Sequence, residues 1–218
     1  MVELLRRNVQ AGSCFVDVGA HLGYFTCIAA QRGAKVFAFE MHEQFVQLLR
    51  TNVALNKLAD VQIVQSAVGD GPGQVRYAPT MMPHLVPRST ATDQTLAVAE
   101  SIGLDDYFQA AQVEPDVLKI DVEGAEAKVL AGMAKLIERR APTILVELHP
   151  RRLPGFGASV QSVLDLLQDH GYQVTAIQDL RGSDANVELV KVRPDTKVNT
   201  MVYAVAADGA GRRTKAKT

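Results

Sequence analysis

An α/β fold with a doubly wound, mostly parallel sheet of seven strands is predicted by three features of the sequence. The first is an apolar stretch, Cys14–Val18, that runs into a turn containing Gly19 and Gly23. The second is another apolar stretch, Lys35–Glu40, that ends in an acid. The third is the alternation of short apolar runs with segments of helical periodicity, which favours parallel strands joined by helices.

The first half of the chain alternates regularly between the two kinds of element. A short amphipathic helix over 2–10 precedes the first strand, and a helix over 24–31 follows it and ends at Gly33, because glycine is common just past a helix end. Apolar residues at helical spacing predict a further helix over 43–56. The remaining elements predicted here are strands at 35–40 and 61–65 and a short strand at 75–78.

The middle of the chain is less regular. Residues 80–88 contain two prolines and two methionines and are predicted to form a loop. This loop is a candidate lid or acceptor pocket, with a plain surface connection as the alternative. The segments 96–102 and 104–111 are predicted to be helical.

The second half returns to the regular pattern. Its predicted strands lie at 116–121, 143–149, 172–177 and 201–206, and its predicted helices run from behind the first of these strands to about Arg140 and over 158–170. A single domain is therefore predicted over 1–207. Residues 208–218 are rich in glycine, lysine and arginine and are predicted to be a disordered tail.

Composition narrows the class of protein. The chain has 218 residues, of which 47% are hydrophobic, and this suits one domain with a sizeable core. The net charge of −1 gives no electrostatic indication of a nucleic-acid or membrane partner. Cys14 and Cys27 are interpreted as small buried hydrophobes, which fits a reducing compartment. No apolar run approaches the roughly 20 residues that span a bilayer, and no signal-peptide pattern is present, so we expect a cytoplasmic protein.

The glycine turn after the first strand indicates a ligand site. Backbone N–H groups at the start of a helix point at whatever lies in such a turn. Glu40 stands 21 residues after Gly19. An acid about 20 residues past a glycine turn is where the ribose hydroxyls of a nucleotide are usually bound.

The spacing within the turn favours S-adenosylmethionine over a dinucleotide. A dinucleotide site prefers glycine at the first, third and sixth turn positions, which here are Gly19, His21 and Tyr24. S-adenosylmethionine has no pyrophosphate and does not need the second of these glycines. Its ammonium group can pair with an acid such as Asp17, and the pattern Asp-x-Gly-x-x-x-Gly over 17–23 supplies that acid.

Polar residues follow five of the predicted strands. In a doubly wound sheet the ligand lies beyond the carboxyl ends of the strands, where the winding direction reverses. We therefore expect one rim to collect the polar groups of 17–23, 40, 66–70, 121–123 and 147–149.

Four segments in this order resemble the FkbM family of class I S-adenosylmethionine-dependent methyltransferases. They are FVDVGAHLGYFT (15–26), FAFE (37–40), LKIDVEGAEAKVL (118–130) and ILVELH (144–149). The segment KIDVEGAE (119–126) is the most specific of them, and the resemblance covers roughly residues 10–150. The family usually has asparagine where this chain has His21. The resemblance implies a Rossmann-like class I methyltransferase fold and transfer of a methyl group to a hydroxyl oxygen of a small molecule or glycan.

The resemblance also implies roles for individual residues. The methionine end of the cofactor would be held by the turn, the ribose by Glu40 and the adenine edge by the start of the segment after the third strand. The cofactor-binding residues so identified are Asp17, Gly19, Ala20, His21, Gly23, Glu40, Ser66 and Ala67. The transferred methyl group and its acceptor would meet near Asp121 and Glu123.

Methyl transfer requires alignment of the acceptor oxygen with the methyl group and removal of the hydroxyl proton. The candidate catalytic residues are Asp121, Glu123, Glu147 and His149, and His149 and Asp121 rank first as bases. Because no fixed ligand spacing is present, no metal is expected, although the same four residues offer ligands for Mg²⁺ or Mn²⁺. We interpret Glu126 as an acid placed favourably in the first turn of a helix.

Three other classes of protein stay open. A nicotinamide oxidoreductase is disfavoured by the glycine pattern. A nucleic-acid methyltransferase is suggested only by the basic tail, and an Asn-Pro-Pro-Tyr type motif is absent after the fourth strand. A non-catalytic cofactor-binding domain is the third alternative.

Overall fold

The computed structural model describes residues 1–80, 84–87, 96–178 and 188–207. The α-helices in these ranges are α1 (Val2–Asn8), α2 (Tyr24–Gln31), α3 (Glu43–Leu55), α4 (Leu104–Ala111), α5 (Glu126–Ala131), α6 (Ala134–Arg140) and α7 (Val160–Asp169). The strands are β1 (Cys14–Val18), β2 (Lys35–Glu40), β3 (Val61–Gln65), β4 (Ala67–Val68), β5 (Gly73–Ala78), β6 (His84–Leu85), β7 (Ala97–Ile102), β8 (Val117–Ile120), β9 (Thr143–Leu148), β10 (Tyr172–Gln178), β11 (Glu188–Val190) and β12 (Thr200–Ala206). A short 3-10 helix lies at Leu153–Phe156.

The large sheet has the order β11-β10-β12-β9-β8-β1-β2-β3. Its strands from β9 to β3 are parallel, whereas β12, β10 and β11 are antiparallel. The predicted α/β class with a mostly parallel, doubly wound sheet is confirmed. The prediction of seven strands is wrong, because β11 adds an eighth at the edge. This strand has only three residues and begins with Glu188, so it leaves no apolar run in the sequence.

A second sheet of four strands, β4-β7-β5-β6, lies beside the first. The prediction of a helix over 96–102 is wrong, since this segment is β7, which pairs with β5 and β4. Its alanines suit a helix, but burial alternates with the period of two that a strand requires: Val98 is 58% exposed and Ser101 only 7%. Pairing with two neighbouring strands outweighs the weak helical propensity.

The helix expected to reach Arg140 is two helices, α5 and α6, with Gly132 between them. A Cβ at Gly132 would lie 2.0 Å from the carbonyl oxygen of Gly69, so the connection after β4 packs directly on this break. Asp105 also stabilises the break between the two helices. The Asp105 carboxylate accepts the N–H groups of Lys135 (3.0 Å) and Leu136 (2.7 Å) at the start of α6. Contacts from elsewhere in the chain therefore divide the helix.

The core lies on both faces of the large sheet and is rich in aromatic side chains. Phe15, Phe37, Phe39 and Phe108 are fully buried. Cys14 is also buried, and burial, assisted by the charge of Asp116, raises the pKa of its thiol to about 12. Among the helices of the described ranges, none has the length and apolar character that crossing a bilayer requires. The predicted tail at 208–218 and residues 81–83 and 88 of the predicted loop lie outside the described residues.

The winding of the large sheet reverses between β1 and β8. From β1 the chain proceeds to β2 and β3 on one side, and β8 and β9 lie on the other. The carboxyl ends of β1 and β8 therefore flank the crevice where a ligand of a doubly wound sheet binds.

Candidate active site

A cavity of about 300 Å³ opens at this crevice. Its walls come from the glycine turn, the end of β2, the start of β4 and the segment after β8. The predicted site residues that line it are Gly19, Ala20, His21, Glu40, Ser66, Ala67, Asp121 and Glu123. Residues that are far apart in the sequence thus share one surface, as the doubly wound topology predicts.

Gly19 gives the turn its shape. Its φ is +74°, and a Cβ there would lie 1.9 Å from the carbonyl oxygen of Asp121. Only glycine allows the turn to pass so close to the backbone after β8. The N–H groups of Gly19 and Ala20 both donate to the carbonyl oxygen of Phe39, at 3.0 Å each. These two amides hold the turn against β2, so the expected cradle of free N–H groups is not formed by them.

Glu40 stands at the cavity wall with its carboxylate fixed in place. Its Oε2 accepts the N–H of His21 (2.9 Å), and its Oε1 accepts the N–H of His42 (2.8 Å). A carboxylate oxygen has more than one acceptor position. Both oxygens can therefore still accept the hydroxyls of a vicinal diol, which is the arrangement that a ribose requires.

His21 occupies a strained turn position. Its φ is +51°, in the left-handed region that asparagine, aspartate and histidine enter more readily than other side chains. The imidazole ring packs on Phe45 with 4.1 Å between ring centroids. The backbone conformation explains why a histidine can stand where the family usually has asparagine.

Two of the residues predicted to bind the cofactor do not line the cavity. Asp17 is wholly buried, and its Oδ2 accepts the hydroxyl of Thr26 at 2.7 Å. Gly23 has φ +85° at the start of α2, and a Cβ there would lie 2.2 Å from Leu49. Both residues shape the turn from behind rather than from the cavity side.

Lys119, which the sequence analysis missed, lies between the turn and the segment after β8. It is 2% exposed, and its ammonium group donates to the carbonyl oxygen of Gly19 at 2.7 Å. The Nζ atom lies 3.2 Å from Asp17 Oδ1 and 3.7 Å from Asp121 Oδ2. Burial lowers the pKa of this lysine, but the two carboxylates more than offset it, and the pKa is raised. A buried charged lysine therefore joins the two sides of the cavity. The signal in the sequence was a lysine inside an otherwise apolar strand.

The four predicted catalytic residues are brought together. The Nε2 atom of His149 lies 3.4 Å from Glu123 Oε2, 3.8 Å from Asp121 Oδ1 and 3.9 Å from Glu147 Oε1. The three acidic side chains are 20–29% exposed, whereas the His149 side chain is 3% exposed. We name these four residues the acidic cluster. Asp121 and Glu123 of this cluster line the cavity, whereas Glu147 and His149 do not.

Glu126 supports this cluster, and our interpretation of it as a helix-dipole residue misses its main contacts. It is wholly buried, and its Oε1 lies 2.6 Å from Nδ1 of His149 and accepts the N–H of Gly124 at 2.9 Å. A carboxylate on Nδ1 favours a proton at that nitrogen. Glu126 therefore orients the ring so that Nε2 faces the three other acids. The Glu-x-x-Glu spacing of 123 and 126, before a strand that ends in histidine, was the available signal.

The charges of the cluster shift two pKa values. Burial lowers the pKa of His149, but the hydrogen bond and charge of Glu126, with the charges of Glu123 and Asp121, outweigh it and raise the pKa. Burial and the charge of Asp121 raise the pKa of Glu147. Arg152 also lies beside the cluster, with its Nε 3.4 Å from Glu123 Oε2. The cluster therefore has a strong affinity for positive charge.

A second cavity of about 920 Å³ adjoins the first and shares Val68 and Leu85 with it. Leu85 belongs to the segment 80–88 that the sequence predicts as a lid or acceptor pocket. Because Leu85 lines both cavities, the described part of that segment lies next to the site. Lys128 and Phe156 line the second cavity on its far side.

Comparison with known proteins identifies the family. The protein-family model for the methyltransferase FkbM domain matches residues 17–174, which is more than half of the chain. The chain is 27% identical over 228 residues to the 31-O-demethyl-FK506 methyltransferase FkbM of Streptomyces tacrolimicus, covering 87% of this chain and 84% of that one. It is 25% identical over 150 residues to the hexuronic acid methyltransferase AglP of Haloferax volcanii, covering 68% of this chain and 61% of that one.

The fold is similar to that of a solved relative. The crystal structure of the methyltransferase FkbM from Methylobacillus flagellatus superposes with a TM-score of 0.58 at 15% identity, over 94% of this chain and 50% of that one. The chain thus spans half of that structure and 61% of the length of AglP. The chain belongs to the FkbM methyltransferase family, and its fold is similar to that of a solved methyltransferase FkbM.

Proposed function

We propose that this protein transfers the methyl group of S-adenosylmethionine to a hydroxyl oxygen of a small molecule or sugar. The observation that carries the proposal is a single cavity that is lined both by Glu40 and by Asp121 and Glu123 of the acidic cluster. Glu40 binds the ribose hydroxyls, and the methyl group faces Asp121 and Glu123. The turn at Gly19, Ala20 and His21 lies against the methionine end, and Ser66 and Ala67 lie against the adenine.

The charge of the cavity supports this ligand. S-adenosylmethionine carries a sulfonium and an ammonium against one carboxylate, so it is a cation overall. Glu40, Asp121 and Glu123 all line the cavity, and a cation is attracted by such a wall. Asp17 has its carboxylate occupied by Thr26 and Lys119, so we assign it to holding Lys119 instead of the ammonium group.

The chemistry is an in-line displacement. The acceptor oxygen forms a bond to the methyl carbon while the carbon–sulfur bond breaks, and its electron pair stays on sulfur to give a neutral thioether. The cofactor is already activated by its charge, so the protein aligns the reactants and disposes of the proton. The hydroxyl proton leaves toward the acidic cluster, in which one oxygen of each of the three acids lies within 4 Å of His149 Nε2.

In this proposal the body of the acceptor occupies the second cavity, and its reacting hydroxyl reaches Asp121 and Glu123 in the first. The second cavity is about three times larger than the first and joins it at Val68 and Leu85. The names of the relatives support an oxygen acceptor, since one acts on 31-O-demethyl-FK506 and the other on a hexuronic acid. We therefore place the acceptor among polyhydroxylated metabolites and sugars.

Titration calorimetry tests the cofactor assignment. We expect S-adenosylmethionine and S-adenosylhomocysteine to bind and NAD not to bind, because Glu40 is fixed for a diol but the turn lacks the glycines that a pyrophosphate needs. A panel of neutral, amino and uronic sugars and hydroxylated macrolides, assayed for release of S-adenosylhomocysteine, then identifies the acceptor class. Properly folded protein that gives heat with neither cofactor form would contradict the proposal.

A further inference from the structure

We propose that Asp121, Glu123 and His149 bind a divalent metal ion at the acceptor end of the cavity. One oxygen of each acid and Nε2 of the histidine all lie within 4.8 Å of one another. Two of the three side chains also line the cofactor cavity. The absence of a fixed ligand spacing had argued against a metal, but the tertiary structure brings the ligands together from two strands that are distant in the sequence.

The distances around His149 fit a shared cation better than direct hydrogen bonds. Nε2 is 3.4, 3.8 and 3.9 Å from oxygens of Glu123, Asp121 and Glu147. Direct N–H···O bonds are about 2.7–3.2 Å long, so these separations exceed that range. Ligands about 2.1 Å from a metal are about 3.0–3.4 Å apart in octahedral or tetrahedral geometry. The shortest separation already falls at that value, and the others exceed it by a few tenths of an ångström.

The environment of His149 matches that of a metal ligand. Its Nδ1 lies 2.6 Å from Oε1 of the wholly buried Glu126. A metal-bound histidine almost always donates its other ring N–H to a carboxylate or carbonyl, which fixes the tautomer and makes the free nitrogen a better ligand. With the proton at Nδ1, the lone pair of Nε2 is directed at the three acids. Glu126 is not one of the proposed ligands, so this contact is an observation separate from the ligand distances.

Negative charge in the cluster exceeds the positive charge that the described residues place against it. Lys119 approaches Asp121 but is held more closely by Asp17 and by the carbonyl oxygen of Gly19. Arg152 reaches only Glu123 among the cluster acids, at 3.4 Å. Glu147 and Oδ1 of Asp121 are contacted by neither Lys119 nor Arg152, and His149 is the cationic side chain beside them. A divalent cation compensates this excess.

The site is rigid on one side and open on the other. Glu123 is held at φ +56° and is followed by Gly124 at φ +115°, where a Cβ would lie 2.6 Å from Arg152. This backbone directs Glu123 toward His149. The acidic side chains remain 20–29% exposed on the cavity side. A metal held by three protein ligands would therefore keep open positions for water or for an acceptor hydroxyl.

The ligand set selects the class of ion. Two carboxylates suit hard cations such as Mg²⁺ and Mn²⁺, and an imidazole favours first-row transition ions over Mg²⁺. We therefore expect Mn²⁺ to bind more tightly than Mg²⁺. The role of the ion rests on the proposed methyl transfer: the ion binds the acceptor hydroxyl beside the methyl group and lowers the pKa of that hydroxyl.

Binding of Mn²⁺ to the cofactor-free protein tests the site directly. The protein is treated with a chelator and desalted, and Mn²⁺ is titrated while the free ion is followed by electron paramagnetic resonance. We expect one ion per chain and at least tenfold weaker binding in Glu123→Gln and in His149→Gln. Glu126→Gln should weaken binding about 10- to 100-fold through His149. Glu138→Gln, an exposed acid on α6, is the matched control and should bind as the wild type does.

Two results would overturn the proposal: wild-type protein that binds no Mn²⁺, or binding that the folded Glu123→Gln variant leaves unchanged. Circular dichroism establishes that each variant is folded, and Glu123→Gln, on a partly exposed residue, keeps the test valid if His149→Gln does not fold. S-adenosylmethionine binding by the chelated protein is measured in parallel. If the cofactor binds and Mn²⁺ does not, the metal site fails and the methyltransferase proposal stands. If Mn²⁺ binds and the cofactor does not, the metal site stands and the methyltransferase proposal fails.

Discussion

The two ends of the cavity are built in different ways. Most of the cofactor end comes from the stretch from Gly19 to Glu40, joined by Ser66 and Ala67, and its shape depends on backbone hydrogen bonds and on the missing side chain of a glycine. The acceptor end is formed by side chains from β8, α5 and β9, which come together only in the folded chain. The cofactor end can therefore be predicted from a local sequence pattern, whereas the acceptor end depends on how the side chains pack.

Lys119 links the two ends, so its replacement should have the largest effect. Lys119→Met removes the cation from between Asp17 and Asp121 and leaves Asp17 charged and buried. Breaking one side of a buried ion pair costs about 3–5 kcal/mol. We expect a loss of this size in the free energy of unfolding, measured by urea denaturation.

A second substitution separates charge from packing in this test. Asp17→Asn in the Lys119→Met background removes the uncompensated charge and should recover part of the lost stability. If Lys119→Met alone leaves stability unchanged, the lysine does not join the two ends.

Gly19→Ala tests whether the cofactor end depends on close backbone approach. The added methyl group would meet the carbonyl oxygen of Asp121 at 1.9 Å, in addition to the cost of a left-handed alanine. A left-handed residue costs roughly 1–2 kcal/mol and overpacking a further 1–3 kcal/mol. Gly12→Ala is the matched control. Gly12 has a similar positive φ of +82°, but a Cβ there would have no atom within 4 Å.

The difference in unfolding free energy between these two alanine variants isolates the steric contact, and we expect it to be about 1–3 kcal/mol. Weaker cofactor binding should accompany it in Gly19→Ala alone. Equal losses in both variants would mean that the turn can move away from the strand behind it.

Glu40→Gln tests the chemistry of the cofactor end. The amide keeps one acceptor oxygen but loses the charge and places an NH₂ group where the other hydroxyl binds. Hydrogen bonds to a charged group contribute about 1.5–3 kcal/mol, so S-adenosylmethionine should bind roughly 10- to 100-fold more weakly by calorimetry. Glu43→Gln, an exposed acid three residues later, should bind as the wild type does. An unchanged affinity in Glu40→Gln would remove the ribose assignment.

Glu126→Gln addresses the acceptor end through a residue that touches neither ligand in our proposal. It removes the charge behind His149 but keeps the side-chain shape. Turnover should fall about tenfold or more, while S-adenosylmethionine affinity should stay within about twofold. The measurement is of kcat and of the cofactor Kd in the wild type and in the variant. A fall in both by the same factor would show that Glu126 supports the whole cavity instead of the cluster.

These differences explain where reasoning from the sequence succeeded. The glycine turn and Glu40 could be predicted because each property follows from one residue type at one spacing. The collection of Asp121, Glu123, Glu147 and His149 on one rim could be predicted from topology alone, since all of them lie at or just beyond the carboxyl ends of parallel strands. The errors in the fold fell in the second sheet and the divided helix, where neighbours from distant parts of the chain outweigh weak local propensity, and at the edge strand β11, which is too short to leave an apolar run.

By itself, the sequence determined the doubly wound fold, its ligand edge and the acid beside the turn, because periodicity and glycine spacing are local properties of the chain. Only the tertiary structure decided that Asp17 faces Lys119, that Glu126 holds His149 and that three acids share one imidazole nitrogen. Those contacts depend on side-chain direction and on the register of β1, β8 and β9. A linear pattern does not contain either quantity.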